Sequence, residues 1–131
     1  MKEIIHKAIK EIAAKQEINP FNPREIVFDG VAVELSEFEG QMLIMSIRSW
    51  KHGKASGVMH EILDVADKYG ITTQLTVDPF GNKGLKKRQL AEWYKRLGFV
   101  KEKGMIDSMI RYPKVKEQIM ITRFTDFRGL K

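Results

Sequence analysis

Two short segments carry residue types and spacings that could do chemistry. Residues 91–100, AEWYKRLGFV, place Tyr94 near the end of an amphipathic helix, stop that helix at Gly98 and begin a strand at once. A phenol on the core side of a helix tip can serve a site as well as pack. With a pKa near about 10, it suits proton donation to a thiolate or alkoxide leaving group. Residues 54–59, KASGVM, open another helix with small side chains. The first N–H groups of a helix lack internal acceptors and lie at the positive end of its dipole, so a phosphate can be held there. Ala55, Ser56 and Gly57 would let that phosphate approach the backbone, and Lys51 and Lys54 would add charge at the rim. Together the two segments point to a nucleotide-type cofactor with proton chemistry beside it. Each also has a plainer reading: a serine-capped helix after a glycine turn, and Trp93 and Tyr94 as aromatic filler. Residues 49–57 match neither the Walker loop nor the GxGxxG fingerprint.

The elements that must position these residues follow from hydrophobic period and turn chemistry. Ile4, Ile5, Ala8, Ile9 and Ile12 predict an amphipathic helix over 2–16. Asn19-Pro20 and Asn22-Pro23 predict a loop. Strands are expected at 25–28 and 31–35 about Asp29-Gly30, a strong hairpin dipeptide. A central strand is expected at 41–48, then a helix at 56–69 closed by Gly70. The β-branched run 71–77 reads as a strand ending at Asp78-Pro79. A helix at 85–97, strands at 99–103 and 105–112, and a further strand at 118–124 complete the chain. The order strand–helix–strand–helix–strand favours an α/β layer with a parallel pair across the first of these helices.

Length and composition bound the function. The 131 residues suit one domain with a real core. The absence of cysteine excludes disulfides, thiolate zinc sites and a cysteine nucleophile. No apolar run approaches a membrane span, and the charged N-terminus lacks the apolar block of a signal peptide, so a cytoplasmic protein is expected. Residues 1–80 hold nine basic and twelve acidic side chains, a net −3; residues 81–131 hold fourteen and five, a net +9. The basic portion suits an anionic partner, whether phosphorylated cofactor or nucleic acid. His6, His52 and His60 have no metal-like spacing, so no metal is expected.

KASGVMHEIL (54–63), ITTQLTV (71–77) and WYKRLGF (93–99) resemble the GNAT family of N-acetyltransferases. Lys54 and Gly57 stand in the basic and central glycine positions of the family's pyrophosphate segment. Tyr94, Gly98 and Phe99 match its Tyr-x-x-x-Gly-Phe segment. The resemblance covers about residues 25–113, and the ending MIRYP (109–113) looks like small bacteriophage members. Met59 departs from the pattern, standing where a second glycine or alanine is usual and where it would crowd the pyrophosphate. An alternative register puts Gly53, Ala55 and Gly57 in the small positions. An asparagine frequent before the tyrosine is replaced by Lys87.

The resemblance implies a three-layer α/β (α+β) fold over residues 1–131. It has a central mixed, mostly antiparallel sheet with a splayed parallel strand pair, and helices on both faces. Residues 1–24 would be an N-terminal helix and loop, and 114–131 a C-terminal extension. It implies acetyl-CoA as cosubstrate, with the backbone of Ile47 and Ser49 along pantetheine. Lys54, Ala55, Ser56, Gly57, Val58 and Met59 would hold the pyrophosphate, and Lys51, Lys54 or basic residues of 83–88 the adenosine phosphate. Tyr94 would be the general acid in direct transfer to a primary amine, either a small molecule or a protein lysine. Asp78, Glu34 and Glu37 are candidate bases, with none chosen. Two alternatives stay open: a GNAT-like phage regulatory protein without catalysis that binds a host partner, and a basic nucleic-acid-binding module. An exposed edge at 118–124 would favour a homodimer.

Overall fold

The computed structural model describes residues 2–14, 16–51, 53–77, 87–104 and 107–114. The chain begins with helix α1 (Lys2–Ala13), then strands β1 (Glu17–Asn19), β2 (Asn22–Phe28), β3 (Val31–Phe38) and β4 (Gln41–Ser49). Helix α2 (Ala55–Tyr69) leads to β5 (Thr73–Thr76), and helix α3 (Lys87–Arg96) to β6 (Val100–Lys101) and β7 (Ser108–Arg111). The seven strands form one sheet in the order β1-β2-β3-β4-β5-β7-β6. Only β4 and β5 run parallel among these pairs. The fold is thus the expected α+β arrangement on a mixed, mostly antiparallel sheet. The three helices, expected on both faces, all contribute side chains to a single apolar cluster. No helix among the described residues is long and apolar enough to cross a membrane.

The loop predicted at 19–23 is instead the turn of a β1–β2 hairpin. Pro23 is tolerated because the β1–β2 register jumps from Ile26 to Asn22, while pairing with β3 starts only at Glu25. No ladder hydrogen bond is therefore asked of its missing N–H. Strands β6 and β7 are shorter than the sequence suggests. The predicted strand at 118–124 and the candidate base Asp78 lie outside the described residues, as do His52 and positions 83–86.

Helix α1 buries Ile5, Ala8 and Ile12, the stripe its period requires. Glu11 fastens it to α2, accepting a hydrogen bond from the Tyr69 hydroxyl (2.6 Å) and from Lys68 Nζ (3.0 Å). Helix α2 buries Val58, Met59, Ile62, Leu63 and Ala66. Gly70 ends it in the left-handed region (φ 68°), donating its N–H to the last carbonyls.

The feature that shapes the site lies in β4. Its parallel pairing with β5 covers only Met42–Ile44 against Thr73–Leu75, while β4 continues beside β3 as far as Ser49. The departure coincides with a bulge: Leu35 pairs with Ile44 but Glu34 with Ser46, leaving Met45 as the extra residue. A bulge bends its strand and increases the local twist. From there to Ser49, the β5-facing backbone edge of β4 has no strand partner among the described residues. The splay that the resemblance implies is present.

At the sheet's other end, Arg111 is buried at 4% exposure and binds Asp67 of α2 through two parallel contacts of 2.8 and 2.9 Å. Its Nε donates to the Leu97 carbonyl (3.0 Å), and the Lys114 N–H reaches the same aspartate (2.8 Å). One guanidinium thus ties α2, the end of α3 and β7 together. Burial pushes the Asp67 carboxyl upward, but the Arg111 and Lys114 contacts outweigh it and hold the pKa below its ordinary value. A depressed folded-state pKa contributes stability above the unfolded value of about 3.9, lost as pH falls through the folded value. Asp67→Asn, which strands a buried cation, is expected to cost about 3–5 kcal/mol at neutral pH in urea unfolding. The gap to the parent should close as the pH falls below about 4. A gap unchanged across that range would show that charge is not its source.

Candidate functional site

A cavity of about 790 Å³ opens where β4 leaves β5. Ile47 and Ser49 of β4, Trp50, Lys51 and Gly53 of the following loop, and Ala55 and Ser56 of α2 form one side. Arg88, Gln89, Leu90, Glu92, Trp93 and Arg96 of α3 form the other. The wall on α3 is a helical stripe at 89, 92, 93 and 96. It is rotated from the apolar stripe of Leu90 and Tyr94, which α3 turns toward the core.

The start of α2 is built to present donors. Lys54 occupies the N-cap position and makes no side-chain cap bond. The first helical hydrogen bond runs from Val58 N–H to the Lys54 carbonyl (3.2 Å), so the N–H groups of Ala55, Ser56 and Gly57 have no intrahelical acceptor. The Ser56 hydroxyl does not cap the helix. It accepts the indole N–H of Trp93 at 2.9 Å, fixing the first turn of α2 against α3. Gly57 is exposed, and a Cβ built there would meet no atom within 4 Å. Lys51, Arg88 and Arg96 make the lining cationic; its carboxylate, Glu92, pairs with Lys95 at 3.4 Å.

The sequence-derived candidates therefore divide. Ile47, Ser49, Ala55, Ser56 and Lys51 meet in one cavity. Lys54 and Gly57 flank it on the exposed start of α2. Val58 and Met59 do not line it: they are 7% and 0% exposed, in the core beneath the helix. Met59 consequently leaves the exposed side of the turn uncrowded, contrary to the expectation from its motif position. Tyr94 is 4% exposed and also belongs to the core. Its ring lies 5.1 Å from that of Trp93 and 5.8 Å from that of Phe99. The neighbouring Trp93 lines the cavity instead.

Glu34 accepts a hydrogen bond from Asn22 (3.3 Å), and Glu37 one from the Gly40 N–H (3.0 Å), so Glu37 serves the β3–β4 turn. Among the described residues, no three His, Asp or Glu side chains group as metal ligands would. Trp50, Trp93 and Arg96 are cavity residues the sequence reading did not assign. The signal for the last two was the second stripe of α3, offset from its apolar one.

No family model matches this chain, and no curated protein does. Among solved structures, it is similar to the crystal structure of anti-CRISPR protein AcrVA5, with a TM-score of 0.56 and 21% identity. The match covers 66% of this chain and 94% of that one. The likeness is one of fold.

Trp93→Phe retains a ring at the cavity wall but deletes the donor to Ser56. It is expected to cost about 0.5–1.5 kcal/mol in urea unfolding. An unchanged midpoint would mean that the bond does not hold α2 and α3 together.

Proposed function

We propose that the chain is an acetyl-CoA-dependent N-acetyltransferase acting on a primary amine. The observation that carries this reading is the convergence of an open strand edge, an uncapped helix start and three cations on one cavity. The unpaired edge at 47–49 suits an extended, amide-bearing arm, which can bond there as an added strand would. The N–H groups of residues 55–57 suit a pyrophosphate, and Lys51, Lys54 and Arg88 a further phosphate. The resemblance of residues 54–63 and 93–99 to the GNAT family supports the same ligand.

Acetyl-CoA supplies an activated acyl group, so direct attack by a neutral amine suffices and no nucleophile from the chain is needed. A neutral amine must lose one proton overall, and the departing thiolate must gain one. Tyr94 is the proposed donor to that sulfur on the resemblance of residues 93–99 to the GNAT family; its ring packs in the core beside the cavity-lining Trp93, so donation requires its hydroxyl to reach the cavity from there. Substrate amine and cofactor would meet at the splay, where β4 and β5 no longer share hydrogen bonds.

A second reading keeps the fold but drops the chemistry, leaving a phage-like regulatory protein that binds a host partner. The neighbour's designation as an anti-CRISPR protein supports it, making a CRISPR component a candidate for either bound partner or amine acceptor.

Titration calorimetry with acetyl-CoA, coenzyme A and ATP tests the cofactor. Saturable binding of both CoA compounds but not ATP is expected; absence of CoA binding would leave the partner-binding reading. Tyr94→Phe is expected to lower turnover about 10²-fold or more while leaving acetyl-CoA affinity unchanged. Full activity in that variant would remove the acid role. Gly57→Ala has room for its methyl and a better helix propensity. It should keep or raise stability yet weaken CoA binding, because the methyl stands where a phosphate must approach. Undiminished affinity would place the pyrophosphate elsewhere.

A further inference from the structure

The turn between β2 and β3 reaches the lysine rim of the cavity. Asp29 and Gly30 form a two-residue connection, with Phe28 paired to Val31. The Gly30 carbonyl accepts the N–H groups of Trp50 (2.9 Å) and Lys51 (3.3 Å), the residues that leave β4. The Lys51 side chain lies directly on Gly30: a Cβ there would stand 2.5 Å from Lys51 Cβ. The Lys51 ammonium donates to Asp29 Oδ1, and Lys54 Nζ stands 3.9 Å from Oδ2. Among the described residues, Asp29 is the only carboxylate paired with either lysine. The hydrogen bond from Lys51, and then its charge, hold the Asp29 carboxyl below its ordinary value, so it stays ionised throughout the neutral range.

We propose that Asp29 competes with a ligand's phosphates for Lys51 and Lys54, setting a threshold that a pyrophosphate-bearing ligand passes and a singly charged anion does not. A monocarboxylate would exchange one carboxylate–lysine contact for another and gain nothing. A pyrophosphate brings two charges and several acceptor oxygens, and it can also take the N–H groups at 55–57. It therefore overcomes the repulsion of Asp29 and gains contacts the aspartate cannot reach. Asp29 lowers affinity for every anion, and in doing so excludes the weaker ones. The identity of the ligand rests on the coenzyme A reading; the competition itself rests on the position of the carboxylate.

Asp29→Asn is the informative variant, because Asn-Gly suits a two-residue hairpin as well as Asp-Gly and only the charge is lost. The full chain is titrated calorimetrically with coenzyme A, inorganic pyrophosphate and acetate. At low salt, Asp29→Asn is expected to bind coenzyme A and pyrophosphate about two- to fivefold more tightly, the scale of an exposed ion pair. The gain should vanish near about 1 M salt, where screening acts within about 3 Å. In a Lys51→Gln background the gain should shrink, because the competitor has lost its main target. Acetate should not bind the parent.

Equal or weaker binding by Asp29→Asn would overturn the proposal and make the carboxylate a support for the loop. Acetate binding to the parent as tightly as pyrophosphate would overturn the threshold. Tightened pyrophosphate binding without any coenzyme A binding would uphold the competition while removing the coenzyme A reading. Failure of both probes with every variant would overturn both.

Discussion

Parallel pairing between β4 and β5 lasts for three residues on each strand, and the site depends on its ending there. Had the strands stayed together, the edge of β4 from Met45 onward would be spent on sheet hydrogen bonds, and the space beneath α3 would be closed. The extra residue at Met45 prevents this by turning β4 away while β3 still holds it as far as Ser49. One inserted residue thus leaves backbone donors and acceptors exposed on a strand that is otherwise firmly supported. Exposure and rigidity seldom occur together in a strand edge.

The opposite end of the sheet is closed just as firmly. Arg111, deep in the structure, joins α2, the end of α3 and β7 through Asp67 and the Leu97 carbonyl. The two helices that wall the cavity are therefore joined through Arg111 at their C-terminal ends, while the first turn of α2 and the length of α3 from Arg88 to Arg96 line it. A second tie, from Trp93 to Ser56, stops them from parting near the cavity itself. Both ends of α2 are thus tied to the C-terminal half of α3, directly at Ser56 and through Arg111 at Asp67.

Local patterns in the sequence carried the helices and the central strands well. The splay followed from the family resemblance alone, whereas the span of α2 with its Gly70 stop, the Asp29-Gly30 turn and the parallel β4–β5 pair were legible in the residues. These depend on side-chain period, on glycine at positive φ and on the order of elements. The β1–β2 hairpin was not legible, because Pro20 and Pro23 argue against strands unless the register jump from Ile26 to Asn22 is known. Met59 was misread for a related reason. Its motif position suggested contact with phosphate, whereas the rotation of α2 on the sheet, a tertiary matter, sends it into the core. Trp93 and Tyr94 show the same limit: adjacent aromatic residues look equivalent in sequence, yet one lines the cavity and the other packs against Phe99.

The contact between Gly30 and Lys51 joins two parts of the chain that are usually separate in their tolerances. A hairpin tip is commonly where a protein accepts insertions, tags or new termini. Here the tip is the floor on which the cavity-lining loop rests, with its carbonyl holding two residues of that loop. A circular permutant opened between Asp29 and Gly30 could keep every strand of the sheet and still lose the loop's conformation. The short turn that looks most expendable in the topology is a place where the scaffold and the cavity cannot be redesigned independently.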